Sequence, residues 1–498
     1  MTPRCETLSA GAGVLLLLAG TFLIARSHGP MRDTRIAGVA VRILEPTRSP
    51  QTGAAIVFHG LSANRILMQG LGQWLAAQGL RVYLAEAPGH GNTLGPFSHA
   101  DTLDSSIRVL SELVRSGQID PQTTVLAGHS MGGEIAIRLA DYFPSAATLA
   151  LSPAPMVLPR RMPSNLFIIS AQFDLPPMKS SAEKLLRSAG GERISPEDFR
   201  QRRAADRIIL PWASHTTVLF DPRASKAMAR WARAALGLTR PSEYPSGSPL
   251  TGEFLGIAGL CLVFPLTTTW IVRTFHINYS PERAAVPLPT AALLARWCVA
   301  ALLALGIVNL WYPKRIFPFY AGGYLASFLL LAGTALALLF RQNLRGVFGG
   351  GYRAALAAFI LGVLVILSLG AWLNWQLTDV WMNGARWFRF APLLLANLPY
   401  TLVEEAVLGP PEPSRRTCRF GIFFALRASL WLALLAGIVV LLSGQVLLVL
   451  LAPYFAAVSL GQRLGADSLR RRTGSAAAAA IFSAILAAWF MAAVFPLA

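Results

Sequence analysis

Apolar positions follow two regimes along this chain. Between residues 36 and 240, short apolar and β-branched runs alternate with stretches whose apolar side chains recur every three or four positions, which is the alternation of strand and helix. The runs predict strands at 35–44, 54–58, 81–85, 124–127, 147–151, 166–171 and 207–211, with helices near 64–78, 103–116, 132–142, 180–188 and 223–236. Short apolar strands separated by helices predict an α/β fold with a mostly parallel sheet.

The second regime begins after the Pro- and Ser-rich run RPSEYPSGS at 240–248, which reads as a linker. Beyond it come eight apolar blocks, near 250–272, 291–312, 317–340, 354–377, 390–409, 421–442, 446–461 and 475–497, most of them long enough to span a bilayer. Block 446–461 is short, and block 390–409 contains two adjacent glutamates. A further apolar run at 8–25 follows Arg4. Its length favours an uncleaved anchor over a signal peptide, and Pro30, directly after the small residues near 27–29, is a poor mature start. The expected organisation is an N-terminal anchor over 1–29, an α/β domain over 30–240, a linker over 241–249 and an all-α polytopic membrane domain of about eight helices over 250–498.

Composition supports two solvents for one chain. Hydrophobic residues make up 54% of the 498 and charged residues 14%, too apolar for a soluble protein of this length. The formal charge of +19 does not point to nucleic acid. Only four of the 44 Lys and Arg are Lys (Lys179, Lys184, Lys226, Lys314), and no soluble stretch carries a basic stripe with interleaved aromatics. Many arginines instead sit between apolar blocks, where they set topology. Loops 273–290, 341–353, 410–420 and 462–474 carry twelve Lys and Arg, and the alternate set carries four: Lys314, Arg315, Arg386 and Arg389. With the richer loops in the cytoplasm of a bacterium, the α/β domain is expected outside the plasma membrane. An N-terminal anchor gives the same side, while Arg26, Arg32 and Arg35 oppose it. The four cysteines form no disulfide framework or metal-ligand spacing, and neither metal nor cofactor is expected.

Chemistry enters at Gly128-His129-Ser130-Met131-Gly132, a G-x-S-x-G directly after the apolar strand TTVLA and directly before the helical stretch GEIAIRLADYF. The glycines permit a strained strand-to-helix turn that lifts the Ser130 hydroxyl out of the sheet. The helix that follows sets its positive end beneath a developing oxyanion. A serine nucleophile needs a base, and the base an orienting acid. In chain order these are Asp174, closing LFIISAQFD, and His215, in PWASHTT after RIIL, each at the carboxyl end of a strand. Asp206 and Glu183 are weaker substitutes for the acid. Two backbone amides complete an oxyanion hole: that of Met131, after the nucleophile, and that of Leu61 in IVFHGL, where Gly60 permits close approach and His59 reads as a loop residue.

His-Gly after one strand, Pro88-Gly89-His90-Gly91 after the next, the GHSMGG elbow and the late Asp and His together resemble the α/β-hydrolase superfamily over residues 36–240. The nearest branch is the serine aminopeptidase and monoacylglycerol-lipase-like one. The resemblance implies the α/β-hydrolase fold and a Ser-His-Asp acyl-enzyme route, without cofactor, on a lipid or small-molecule ester. Peptidases and thioesterases share the same motifs. One departure concerns the helical cap that many relatives insert after the sixth strand. Here only 152–165 separate Leu151 from the next strand, so no cap fits. The acyl pocket is then expected to be shallow, or completed by membrane lipids or the C-terminal half.

Inside the apolar blocks, Arg296 and Arg427 lie near span ends, where a long side chain can snorkel to the interface. Glu404-Glu405 resembles the paired glutamate of CAAX-type intramembrane proteases. Position 409 is Gly where that motif has Arg, however, and no histidine follows His276, so a structural role is expected. A rival reading makes the helical half a transporter or sensor with the α/β domain as its accessory.

Overall fold

The computed structural model describes residues 3–27, 29–46, 51–239, 245, 247, 249–280, 289–312, 316–345, 347, 351–411, 416–441 and 443–498. Most of the expected linker, and Arg283, Lys314, Arg315 and Arg415 among the loop cations, lie outside them. The chain divides into two compact units. One holds Gly20–Phe254 together with two returns of the chain from beyond the linker, Leu373–Asp379 and Pro496–Ala498.

This unit is built on a single sheet of eight strands: β1 (Met31–Ile36), β2 (Val39–Leu44), β3 (Gly53–Phe58), β4 (Leu80–Ala85), β5 (Thr124–His129), β6 (Ala147–Leu151), β7 (Leu166–Ala171) and β8 (Ala205–Leu210), in the order β1-β2-β4-β3-β5-β6-β7-β8. β1 pairs antiparallel with β2, and β2 with β4; every later pairing is parallel. The one strand expected at 35–44 is instead a hairpin. Ala37 (φ 48°) and Gly38 (φ 81°) turn the chain, so the polar run MRDTRI before them pairs as an edge strand.

The helices of this unit are α2 (Gln69–Ala76), α3 (His99–Arg115), α4 (Met131–Arg138), α5 (Pro176–Ser188), α6 (Pro196–Arg200) and α7 (Pro222–Ala235), preceded by the long α1 (Pro3–Ser27). Alternate strand residues feed opposite cores. Ala55, Val57, Val125 and Ala127 meet Leu71 and Leu75 of α2 and Met228 and Trp231 of α7. Ala54, Ile56, Phe58 and Leu126 meet Val109, Leu110 and Leu113 of α3 and Ile135 of α4. A strand covered on both faces requires apolar side chains throughout, so β5 is buried along its whole length. The order sets β3 between β4 and β5, and the loops leaving these three strands converge at their carboxyl ends. No helix or strand forms between Leu151 and Leu166.

The other unit comprises most of α1 and of α8 (Pro249–Thr274), then α9 (Thr290–Leu310), α10 (Gly322–Leu339), α11 (Gly351–Gln376), α12 (Gly384–Leu408), α13 (Arg416–Val440), α14 (Val446–Thr473) and α15 (Ala476–Val494). Among the described residues, α1 from Arg4, α8, α9, α10, α11, α13 from Thr417, α14 and α15 are long and apolar enough to cross a membrane. α1 lies closely along α8: a Cβ on Gly13 or Gly259 would stand 2.6 Å from the other's carbonyl oxygen.

Two expectations about this unit change. The block at 446–461 is part of a 28-residue helix, so 462–474 is not a loop. Its charges are paired inside the unit: Glu405 accepts from Arg463 at 2.7 Å and from Arg470 at 3.0 Å, and Asp467 accepts from Arg463 at 2.5 Å and from Arg419. Arg427 does not snorkel either. It binds both carboxylate oxygens of Glu404 at 2.8 Å, while Tyr400 donates to the same carboxylate at 3.0 Å. Charged side chains in an apolar setting persist when each finds its counter-charge. Arg296 stays exposed, its guanidinium 5.4 Å from the Phe340 ring centre.

Candidate active site

β5 delivers the chain to Ser130 in a backbone conformation that side chains avoid, φ 53° and ψ −119°. The pentapeptide spacing has a steric cause. A Cβ on Gly128 would lie 2.2 Å from the Gly132 carbonyl oxygen, and one on Gly132 would lie 2.1 Å from that of Phe58. Neither neighbour is a flexible side chain, so both positions require glycine.

From this turn the Ser130 hydroxyl donates to His215 Nε2 at 2.9 Å, and His215 Nδ1–H donates to Asp174 Oδ1 at 2.9 Å. All three are buried: Ser130 is 8% exposed, His215 5% and Asp174 4%. Asp206 and Glu183 lie elsewhere, the former accepting from the Arg207 amide and the latter paired with Arg187 on α5.

The far oxygen of Asp174 is also committed. Oδ2 accepts from the Ser152 hydroxyl at 2.7 Å and from the Ala171 amide at 2.7 Å. Burial alone would raise this carboxyl, but the hydrogen bonds from His215, Ser152 and Ala171 outweigh it and hold the group below the usual carboxylate range. Ser152 carries no sequence signal; it is a serine one residue past a strand, and only the fold turns it toward Asp174.

His129 restrains His215 from the elbow. Its Nε2 lies 2.8 Å from the His215 carbonyl oxygen. A carbonyl only accepts, so Nε2 carries the proton. His59 is arranged in the opposite sense: Nε2 accepts from the Ala87 amide at 2.9 Å, and Nδ1–H donates to the Gly60 carbonyl at 2.8 Å. Both rings bridge loops in the neutral form. On the oxyanion side, a Cβ on Gly60 would sit 3.1 Å from Ser130 Cβ, and Leu61 packs with Ala87, Phe97 and Met131. Among the described residues, the Leu61 and Met131 amides donate to no protein group, which leaves both available to a ligand.

Burial depresses both histidines, His129 to about 3 and His59 to about 4, from an ordinary 6.5. The unfolded chain therefore binds protons that the folded chain refuses below about pH 6.5. The stability this contributes is present above that value and is lost as pH falls toward 4. Thermal unfolding of the full chain between pH 7 and 4 should show a falling midpoint that flattens in His129→Asn.

This strand order, with the strained serine turn at the end of β5, defines an α/β-hydrolase domain. Residues 49–194 match the family model described as serine aminopeptidase, S33. A 137-residue stretch, 26% of this chain, is 34% identical to a putative acetyl-hydrolase LipR of Mycobacterium tuberculosis, covering 42% of that protein. A 101-residue stretch, 20% of this chain, is 32% identical to a putative non-heme haloperoxidase of Mycobacterium phage D29, covering 35% of it. The chain thus spans less than half the length of either curated relative. Among solved structures, the serine hydrolase XC6422 of Xanthomonas campestris aligns over 44% of this chain and 99% of its own at 15% identity, with a TM-score of 0.33. An esterase of Pyrobaculum calidifontis aligns over 46% and 92% at 14% identity, with a TM-score of 0.35.

Proposed function

We propose that this chain is a membrane-bound serine hydrolase that cleaves carboxylic esters of lipids or other amphiphiles through an acyl-enzyme. The observation that carries the reading is the unbroken hydrogen-bonded line from Ser130 through His215 to Asp174, presented at the end of β5. Ser130 Oγ attacks the ester carbonyl while His215 Nε2 takes its proton, and the amides of Leu61 and Met131 receive the oxyanion. His215 then returns the proton to the leaving alkoxide. Water, deprotonated by His215, releases the acid from Ser130 by the same steps.

An amphiphilic substrate is supported by exposed apolar side chains on loops at the carboxyl ends of the strands. Phe173, beside Asp174, is 57% exposed; Trp212, close to His215, is 82% exposed; and Val157, where a cap would stand, is 88% exposed. Apolar side chains of this size left exposed on the loops that carry Asp174 and His215 and on the segment after β6 suit an acyl chain or a lipid surface. The apolar helix α1, with Arg4 in its first turn, supports an extracytoplasmic hydrolase unit.

Turnover by the full-length protein in detergent should be measured on nitrophenyl esters from acetate to laurate and on aminoacyl nitroanilides. Ester cleavage that rises with chain length and vanishes in Ser130→Ala supports the reading. The serine aminopeptidase description of the matching family favours amide cleavage as the second reading, and faster anilide than ester turnover would select it.

A further inference from the structure

The loop that presents Leu61 has little to hold it in place by itself. Its own backbone contributes one bond, from the Ala63 amide to the Gly60 carbonyl at 3.1 Å, and Ser62 sits at a φ of 59°. Restraint comes from the Ser62 amide, which donates to His90 Nε2 at 3.3 Å, and from the far end of the loop, where Asn64 and Arg65 grip the segment that leaves helix α11, within the same compact unit. Asn64 Oδ1 accepts from the Asp379 amide at 3.0 Å, and Asn64 Nδ2 donates to the Asp379 carbonyl at 3.1 Å and to Thr378 Oγ1 at 2.9 Å. Arg65 Nη1 donates to Glu86 Oε1 at 2.9 Å and to Asp379 Oδ2 at 3.0 Å, across 314 positions of sequence. The Asp379 and Glu86 side chains are fully buried, and that of Arg65 is 5% exposed.

The cluster also reaches the loop after β4. Asn92 Nδ2 donates to Asp379 Oδ2 at 2.9 Å, and Glu86 Oε2 accepts from the Asn92 and Thr93 amides at 2.7 and 3.1 Å. Asp379 therefore supplies the acceptor shared by a guanidinium of one active-site loop and an amide of the next. Water cannot readily replace it at this depth, and removing it leaves both donors short of an acceptor.

We propose that Asp379 is a positioning residue for the active site: acting through Arg65 and Asn64, it holds the His59–Arg65 loop so that the Leu61 amide stands where the oxyanion forms. The proposal rests on the serine-hydrolase reading. It makes that reaction depend on a segment beyond the linker, at the end of an apolar helix.

The test is Asp379→Asn in the full chain, which keeps the side-chain volume and leaves the backbone free to bind Asn64. Glu112→Gln, at the surface of α3, serves as the control for loss of a carboxylate. Sites are counted by titration with a fluorophosphonate, so that misfolded molecules drop out of the rate. The expected result is a kcat per titrated site lowered about tenfold to a hundredfold, with KM little changed, slower labelling, and wild-type kinetics for Glu112→Gln. A kcat per site within twofold of wild type overturns the proposal. So does a loss seen only in KM, or only in the number of titratable sites, which marks a merely structural role. A wild-type protein that neither turns over esters nor labels refutes the underlying hydrolase reading instead.

Discussion

Ser130→Ala is expected to lower ester turnover by about a millionfold while the protein remains folded. The hydroxyl is the only group removed, and among the described residues its hydrogen bond runs to His215 alone. The neighbouring structure does not depend on it. The Ser130 amide donates to the Leu151 carbonyl, its carbonyl accepts from Ala154 and Glu134, and the glycines on either side set the turn. Alanine has to adopt the same positive φ, so the strain is unchanged. Initial rates on the best ester, with the thermal midpoint measured alongside, separate loss of the nucleophile from loss of the fold. The midpoint should stay within a few degrees of wild type.

Asp174→Asn should cost about ten-thousandfold in kcat, again without unfolding. The geometry determines which way the new amide faces. Oδ2 of Asp174 accepts from the Ser152 hydroxyl and the Ala171 amide, so the one oxygen that asparagine retains remains with those two donors. Its NH2 then points at His215 Nδ1, which must accept rather than donate. The proton moves to Nε2, where it faces Ser130 Oγ, and the base can no longer take the hydroxyl proton. In a Ser152→Ala, Asp174→Asn double variant the amide is freer to turn its oxygen toward Nδ1, and part of the lost rate should return. Stopped-flow acylation rates for the two variants measure the effect directly.

What could be read from the sequence was whatever the local chain dictates. The glycines of the elbow are required by contacts to Gly132 and Phe58, a few residues away in sequence or on the adjoining strand, so a pentapeptide between a strand and a helix carries its own meaning. Asp174 and His215 stand out in the sequence because they follow strands of a parallel sheet, and the fold brings both to Ser130. The hairpin of β1 and β2 reads as one strand in the sequence because Ala37 is an unusual residue at positive φ and only Gly38 hints at a turn.

The remaining features depend on partners far along the chain. α14 looked short because Arg463, Asp467 and Arg470 interrupt its apolar run, and only the fold brings Glu405 and Arg419 to pair with them. Ser152 and Asp379 are ordinary polar residues in sequence. Their significance comes from Asp174, 22 positions from Ser152, and from Arg65, 314 positions from Asp379.

An activated nucleophile at Ser130 reacts covalently with an organophosphorus probe. Full-length protein in detergent is treated with a fluorophosphonate and digested, and the modified peptide is sequenced by mass spectrometry. A single adduct on Ser130 is expected, formed quickly in wild type, strongly slowed in Asp174→Asn and absent in Ser130→Ala. A folded wild-type protein that takes up no label, or one labelled at another serine and equally well in Ser130→Ala, would contradict it.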